Sequence, residues 1–125
     1  MIEKITSSDA PAAIGPYVQG NRTGNLVFTS GQIALDPETG LLCGDDIAAQ
    51  TEQVMKNLTA VLSEAGTSMA NAIKTTCFLA DIADFAAFNE VYGKYFTTKP
   101  ARSCVAAKAL PKGALVEVEV IAKIG

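Results

Sequence analysis

Two charged residues near the C-terminal end of the chain, Arg102 and Glu117, could do chemistry together. Arg102 follows Pro100 in a short β-prone segment, and a guanidinium offers a planar fork of donors that matches a carboxylate. Glu117 lies on a strand of regular alternation, where a partly covered carboxylate can act as a general base or position a water molecule. Spacing alone leaves another interpretation open, in which Arg102 is a surface residue and Glu117 is solvated or ion-paired.

The strand that carries Glu117 has two faces of different character. One face is apolar and suited to a protein core: Val116, Val118, Val120, Ala122 and Ile124. The other face mixes charged with large apolar residues: Leu115, Glu117, Glu119, Ile121 and Lys123. A strand that buries one face normally gives the other to water. The mixture therefore predicts a surface covered by a partner subunit rather than by the chain's own helices.

The composition restricts the class of protein. The 125 residues suit one domain, 1–125, and a hydrophobic fraction of 49% is sufficient for a genuine core. The net charge of −3, without a cluster of Lys or Arg, argues against nucleic acid or an anionic membrane as a partner. No apolar run approaches membrane-spanning length, and residues 1–5 lack the apolar middle of a signal peptide. We therefore expect a cytoplasmic protein.

The cysteine and histidine counts narrow the chemistry further. The three cysteines, Cys43, Cys77 and Cys104, form no close pair and are expected to be free thiols. The chain has no histidine, which disfavours zinc sites built from Cys and His and every Ser–His or Cys–His arrangement. Acid–base chemistry must then come from a carboxylate, tyrosine, lysine, thiol or bound water. Cys104 is better interpreted as a small wall residue than as a nucleophile, because no base is evident to generate its thiolate.

Turn residues divide the first third of the chain into short predicted strands. Tyr17–Gly20 and Leu26–Ser30 are predicted to form a hairpin, with Gly24-Asn25 as turn residues. The second strand is expected to continue to Ile33, and its Gly31 indicates a bulge or a close approach of the backbone to a ligand. Two further short strands are predicted, an edge strand at 1–5 and a strand at Leu41–Cys43 after a turn over Asp36–Gly40.

Helical periodicity predicts two helices separated by a strand over Asn71–Leu79. The first helix begins at Asp45 or Asp46 and stops at Gly66. Its buried stripe is Ile47, Val54, Leu58, Val61, Leu62 and Ala65. Its solvated face is Gln50, Glu52, Gln53, Lys56, Asn57 and Glu64. The second helix is capped by Asp84 and carries an aromatic stripe: Phe85, Phe88, Tyr92, Tyr95 and Phe96.

Asn89 lies one turn beyond Phe85, at the edge of the aromatic stripe. A buried amide needs hydrogen-bond partners, so Asn89 either serves the structure or lines a site. Two helices are enough to cover one face of one sheet. The expected architecture is a single α+β domain, in which a mixed β-sheet packs on two α-helices.

Several segments taken together resemble the RidA/YjgF family, also described as the endoribonuclease L-PSP family. The most specific part is PARSCV at Pro100–Val105, followed by Leu-Pro and a Val-Glu strand within Leu110–Ala122. The other matching segments are Ala10–Gly20, Ser30–Ile33, Lys74–Asp84 and Asn89–Phe96. The resemblance thus covers nearly the whole chain.

The resemblance implies a homotrimer with a fold similar to trimeric bacterial chorismate mutase, its sheets forming a central barrel and its clefts lying between subunits. The implied activity is that of a 2-iminobutanoate/2-iminopropanoate deaminase. Such an enzyme hydrolyses reactive enamine and imine intermediates of amino-acid metabolism to 2-keto acids and ammonia. By resemblance, Arg102 binds the substrate carboxylate and Glu117 holds the attacking water, with no metal or cofactor. The other implied cleft positions are Tyr17, Ser30, Gly31, Asn89 and Cys104.

Two functions from other classes stay open. Some relatives are described as endoribonucleases acting on single-stranded RNA, a task for which a chain of net charge −3 without a basic groove is poorly equipped. A non-catalytic metabolite-binding or regulatory protein could use the same cleft. The chain also departs from the family pattern at Ala106, Ala107 and Gly113 and in a short approach over Thr97–Lys99 to Pro100, which leaves the substrate range open.

Overall fold

Six strands and two helices make up the regular structure, which a computed structural model describes over residues 1–125. In chain order the elements are β1 (Glu3–Ile5), β2 (Gly20–Thr23), β3 (Leu26–Thr29), α1 (Ile47–Glu64), β4 (Ala72–Leu79), α2 (Phe85–Tyr95), β5 (Ala101–Ala106) and β6 (Val116–Lys123). Both helices share one cluster of 22 buried apolar residues with the sheet. The predicted α+β arrangement, a mixed sheet packed on two helices, is confirmed.

The last strand of the chain lies inside the sheet. The strand order is β1-β2-β3-β6-β4-β5, and only β4 and β5 run parallel. Parallel neighbours need a crossover connection, which α2 provides. Antiparallel pairing of β6 with β4 sets Glu117 opposite Phe78 and Glu119 opposite Thr76. Since side chains alternate along a strand, this register determines the face on which each carboxylate lies.

The apolar face of β6 forms the centre of the core. Four of its residues are at most 1% exposed: Val116, Val118, Val120 and Ala122. The stripe of α1 packs over them, and α2 adds a run of buried aromatic rings: Phe88, Tyr92 and Phe96. The regular alternation of the strand and the periodicity of the first helix therefore predicted the core correctly. The aromatic stripe of the second helix is only partly core, because Phe85 is 36% exposed and Tyr95 is half-buried.

The N-terminus of α1 is capped as the sequence predicts, whereas that of α2 is not. Asp46 caps α1, because its carboxylate accepts a hydrogen bond from the backbone N–H of Ala49 at 2.8 Å. Just beyond α1, Gly66 adopts a left-handed backbone with φ of 89°. Asp84 precedes α2 without a side-chain capping bond. Asp81 instead caps the short turn before α2, accepting from the N–H of Ala83 at 2.9 Å.

The predicted solvated face of α1 is wrong at two positions. Gln50 is 3% exposed and Asn57 is fully buried. Gln50 donates to the carbonyl of Gly44 and accepts from the N–H of Leu115. Asn57 donates to two loop carbonyls, those of Ile33 and Leu35. An amide can be buried when backbone groups satisfy it, and hydropathy alone does not reveal those partners.

Three of the predicted short strands are also wrong in extent. Tyr17–Gln19 is not a strand, and β2 begins only at Gly20. The strand ending at Thr29 does not continue to Ile33, since Gln32 makes only a single bridge to Val118. Leu41–Cys43 likewise contributes one bridge, between Leu42 and Leu35. In each case the backbone hydrogen bonds go to loops or to an isolated neighbour, so no ladder forms.

The face of the sheet opposite the helices carries large apolar residues that nothing in the chain covers. Phe28 is 41% exposed there, and Phe78 and Ile121 are half-buried. Leu115, which was expected on this face, precedes β6 and packs against the core cluster instead. A partner subunit on this face, as expected for a homotrimer with a central barrel, stays a prediction. The structure contains no helix with the length and apolar character that crossing a membrane requires.

Candidate functional site

Arg102 and Glu117 lie on opposite faces of the same sheet. On β5, Arg102 pairs with Thr75 of β4, whose side chain is buried under the helices. On β6, Glu117 alternates with the buried residues Val116 and Val118 and therefore points to the uncovered face. One copy of the chain consequently does not bring the two charged groups into a common site.

The guanidinium of Arg102 rests against the aromatic stripe of α2. Its Cζ atom lies 4.9 Å from the ring centroid of Tyr92, 5.4 Å from that of Phe85 and 6.0 Å from that of Phe88. Its Nη1 donates to Oδ1 of Asn89 at 2.7 Å. We call this group of five residues the arginine half-site: Phe85, Phe88, Asn89, Tyr92 and Arg102. Asn89 therefore has a definite partner, the charged group that the sequence singled out.

Arg102 has no carboxylate partner within the chain. The protein contains one salt bridge, between Arg22 and Glu3 at 2.6 Å. Neither Arg102 nor Glu117 therefore takes part in an ion pair within the chain. A guanidinium carries five N–H donors, and the hydrogen bond to Asn89 uses one of them. The remaining donors are free to take a carboxylate through two parallel bonds.

Cys104 lies two residues beyond Arg102 on the same face of β5 and packs against the core. Burial raises the pKa of its thiol, and the charge of Arg102 offsets only part of that effect. Cys77, directly opposite on β4, has its pKa raised to about 12, chiefly by burial. These thiols are protonated at neutral pH, which favours a wall residue over a nucleophile at position 104.

Glu117 opens into a cavity of about 800 Å³ on the other face of the sheet. We call it the glutamate cavity. Three of the predicted cleft residues, Tyr17, Ser30 and Gly31, line it together with Glu117. Lys112 stands at its wall with a left-handed backbone, φ of 59°. The candidate residues thus divide into two groups, four in the glutamate cavity and three, Asn89, Arg102 and Cys104, on the helix side.

Gly31 lets the carboxylate of Glu117 approach the backbone closely. A Cβ atom on Gly31 would overlap a carboxylate oxygen of Glu117 and lie 2.9 Å from its Cδ. The approach is held by the bridge next to it, in which Gln32 and Val118 exchange hydrogen bonds of 2.9 and 3.1 Å. The sequence indicated a close backbone approach at Gly31. The group that approaches within this chain is the candidate base itself.

The electrostatic setting of Glu117 favours its protonated form. Burial is the main reason that its pKa is raised above the usual 4.5, and the neighbouring charge of Glu119 adds to it. Glu117 has no hydrogen-bond or salt-bridge partner in the chain. A carboxylate that is half-buried, unpaired and raised in pKa has the properties of a general base.

Sequence reasoning missed Gln19, which organises one wall of the glutamate cavity. Its side chain is 2% exposed, accepts from the N–H of Ser7 at 2.6 Å and donates to the carbonyls of Ser7 and Pro11. Its own carbonyl accepts from the N–H of Ser30 at 2.9 Å, and Ser30 Oγ donates to the carbonyl of Val18. No local pattern signals this role, because the partners are spread over two loops.

No group of three or more His, Cys, Asp or Glu side chains is arranged to hold a metal ion. Both halves of the candidate site are therefore built from arginine, amide, aromatic, hydroxyl and single carboxylate groups. Such groups bind a small anionic molecule and move one proton.

Comparison with known proteins places the chain among proteins of one family. Residues 7–124 match the family described as Endoribonuclease L-PSP. A proposed regulator, AldR, of Lactococcus lactis is 54% identical over 121 residues, which cover 96% of each chain. The 2-iminobutanoate/2-iminopropanoate deaminase of Salmonella typhimurium is 46% identical over 126 residues, which cover 98% of each chain.

Solved structures give the same result for the fold. The crystal structure of E. coli TdcF with bound serine superposes with a TM-score of 0.93 at 42% identity and covers 98% of this chain and 99% of that one. The YjgF gene product of E. coli superposes with a TM-score of 0.92 at 44% identity, with coverage of 97% and 98%. The family match over residues 7–124 includes Arg102, Glu117 and all strands from β2 onward, and the chain therefore belongs to the RidA/YjgF, or endoribonuclease L-PSP, family.

Proposed function

We propose that this protein is a 2-iminobutanoate/2-iminopropanoate deaminase, a hydrolase that converts reactive imino acids to 2-keto acids and ammonia. One observation carries the proposal: the chain holds an arginine without an acidic partner and a glutamate without a basic one. These are the positions at which the family resemblance implies carboxylate binding and water activation. The 46% identity to the Salmonella deaminase supports the same reaction.

The two half-sites must come from different copies of the chain in this proposal. Arg102 and Glu117 lie on opposite faces of one sheet, so a substrate that touches both needs a second subunit. The uncovered face beside Glu117 carries Phe28, Phe78 and Ile121, which a partner would bury. A cyclic trimer repeats this contact three times and closes, giving one cleft at each subunit boundary.

The proposed reaction starts with the substrate carboxylate held by the free donors of Arg102, which leaves C2 of the iminium group near Glu117 of the other subunit. Water adds to C2, and the carboxylate of Glu117 takes the proton that the water loses. The same proton then passes to the nitrogen of the carbinolamine. The C–N bond breaks with its electron pair going to nitrogen, and the hydroxyl gives its proton to the carboxylate of Glu117 as the carbonyl forms. The released ammonia then takes up this proton as ammonium, which returns Glu117 to its carboxylate form.

An iminium carbon is already electrophilic, so this chemistry requires positioning and one proton relay rather than a strong nucleophile. The raised pKa of Glu117 suits both steps, because a carboxylate of higher pKa is a better base and the resulting acid is still able to return the proton. A cytoplasmic site of action is part of the proposal, since the unstable substrate must be met close to the enzymes that release it.

The proposal is tested by generating the imino acid in the presence of the protein. A pyridoxal-phosphate-dependent dehydratase acting on threonine or serine supplies the substrate, and ammonia and 2-keto acid formation are followed with a trapping amine in competition. We expect the protein to accelerate hydrolysis and to lower the yield of trapped imine. A rate equal to that of the uncatalysed reaction at micromolar protein would overturn the proposal.

A non-catalytic metabolite-binding protein is the second candidate, favoured by the serine bound in E. coli TdcF and by the regulator description of the AldR relative. It predicts ligand binding without ammonia release. An endoribonuclease has weaker support, because no basic groove accompanies the net charge of −3. RNA cleavage that persists after Glu117→Gln would show that it does not use this site.

A further inference from the structure

We propose that Phe85 is a positioning residue for Arg102: its aromatic ring holds the guanidinium in the orientation in which its free donors meet the substrate carboxylate. The inference rests on the proposed function for the identity of the ligand. Its geometric part, the contact between ring and guanidinium, stands on the structure alone.

The guanidinium lies between exposed and buried aromatic rings. Phe85 and Tyr92 have their centroids 5.4 and 4.9 Å from Cζ of Arg102, while Asn89 holds one Nη at 2.7 Å. Tyr92 is itself held, because its hydroxyl is 2.7 Å from Oγ1 of buried Thr75. The rings and the amide together restrict rotation of the guanidinium about the long side chain of Arg102.

Core packing explains two of the three rings but not Phe85. Phe88 is fully buried and Tyr92 is 7% exposed, and both belong to the core cluster. Phe85 is 36% exposed and lies outside that cluster. Its ring is therefore not required to fill the interior. The contact that distinguishes it is the one with Arg102, the charged group without an acidic partner.

The physical role of the ring follows from its quadrupole. An aromatic face attracts a cation without consuming any of its N–H donors, whereas a carboxylate partner would occupy the donors that the substrate needs. A flat guanidinium held against rings also keeps its edge open for two parallel bonds. Phe85 thus orients Arg102 and leaves it free to bind, which an ion-pairing residue at the same position would not do.

Three variants distinguish the effect of the aromatic ring of Phe85 from the effect of its size. Phe85→Leu keeps an apolar side chain and removes the π face, and Phe85→Tyr keeps the ring. Tyr95→Leu is the matched control, because Tyr95 lies on the same helix but its hydroxyl bonds to Glu52 and its ring does not contact Arg102. We expect Phe85→Leu to raise KM for imine hydrolysis about three- to tenfold with little change in kcat. Phe85→Tyr and Tyr95→Leu should each have the KM of the wild type.

A second measurement does not need turnover. The chain has two arginines, Arg22 and Arg102, so the Nε–Hε signals in a ¹⁵N–¹H spectrum are assigned by one variant, Arg102→Lys. Ring currents displace the Arg102 signal as long as aromatic faces surround it. We expect Phe85→Leu to shift this signal and to weaken its response to added 2-oxobutanoate, the product of 2-iminobutanoate hydrolysis. Arg22, paired with Glu3, is the internal reference.

The outcomes distinguish this inference from the proposed function. Binding of 2-oxobutanoate without imine turnover would overturn the deaminase activity alone, and the weaker binding by Phe85→Leu would still support the positioning role. Equal KM and equal 2-oxobutanoate affinity in wild type and Phe85→Leu would overturn the positioning role alone. Failure of 2-oxobutanoate to perturb Arg102 in the wild type would overturn the positioning role as well, because no carboxylate would be held there.

Discussion

At the scale of residues, the candidate site consists of charges that the chain leaves uncompensated. Arg102 is stabilised by aromatic faces and one amide, and Glu117 sits against the backbone of Gly31 with a raised pKa. Proteins usually pair half-buried charges, because an unpaired charge loses hydration without recovering it elsewhere. Under the proposed function, one substrate meets both unpaired groups, each supplied by a different copy of the chain.

Replacement of Glu117 with Gln tests the base. The variant keeps size and hydrogen bonding but accepts no proton, so we expect kcat/KM to fall at least about a hundredfold. Glu119→Gln is the control, since Glu119 shares the face but stands outside the glutamate cavity. Similar losses in both variants, measured by ammonia release, would indicate general damage to β6 instead.

The same variant has a defined effect on stability. A folded-state pKa raised above the unfolded value means that the native state binds the proton more tightly, so this residue's contribution to stability is lost as pH rises through the folded pKa. Glu117→Gln removes that ionisation. We therefore expect the midpoint of thermal unfolding at neutral pH to be equal to or above that of the wild type. A clear decrease would show that the carboxylate is structural.

Arg102 tests carboxylate binding. Arg102→Lys keeps the charge and loses the planar fork, so activity should be weak, and Arg102→Ala should have almost none. The lost charge-assisted bonds correspond to about 1.5–3 kcal/mol, roughly ten- to a hundredfold in affinity. Because Arg102 has no ion-pair partner, truncation should destabilise the fold by only about 1 kcal/mol, the loss of its aromatic contacts. A severely unstable yet active Arg102→Ala protein would contradict the assignment.

At the scale of elements, α1 supports the glutamate cavity as well as the core. Asn57 reaches from the helix to the carbonyls of Ile33 and Leu35, both of which line the cavity. The helix therefore ties the position of a loop to the packing of the sheet. A buried amide that serves loop carbonyls in this way transmits helix position to a site wall.

Asn57→Leu tests that connection. The variant fills similar space but leaves two loop carbonyls without a donor, and we expect a loss of about 1–3 kcal/mol in the free energy of unfolding. The matched control is Thr51→Val, because Thr51 is equally buried but its hydroxyl donates within the helix, to the carbonyl of Ile47. Urea unfolding of both variants measures the difference, and equal losses would mean that the loop contacts of Asn57 contribute nothing of their own.

At the scale of the whole molecule, the sheet face opposite the helices is an apolar surface that the chain leaves exposed. Two helices cover one face, and Phe28, Phe78 and Ile121 occupy the other without cover. The glutamate cavity opens on that uncovered side, while Arg102 lies under α2. In the proposed trimer, association with another copy would both complete the site and bury the apolar face.

Light scattering at micromolar concentration tests the assembly, and we expect a trimer. Ile121→Lys puts a charge into the uncovered face and should shift the protein toward smaller species with a parallel loss of imine hydrolysis. Ile82→Lys is the control, since Ile82 is 54% exposed in the short turn before α2 and does not lie on the sheet. A wild type that is a stable, folded and active monomer would rule out a shared cleft.

The sequence by itself determined the features that depend on periodicity and local chemistry. The core face of β6, the two helices, the cap at Asp46 and the family follow from residue patterns, because alternation, helical spacing and capping act over a few neighbours. The short strands predicted near Tyr17, Ile33 and Leu42 are absent from the structure, so local patterns did not predict these segments. Their hydrogen bonds depend on segments far away in the chain.

Only the tertiary structure decided how the candidate residues are distributed. Spacing named Arg102 and Glu117, but the register between β4, β5 and β6 put them on opposite faces. It also decided that Gln19, Gln50 and Asn57 are buried, because their backbone partners lie between 6 and 65 residues away. The face on which a strand residue lies is determined by the pairing register, and a shift of one residue would move every side chain of the strand to the other face of the sheet. This register depends on pairing between segments far apart in the chain, for which the sequence carries no local signal.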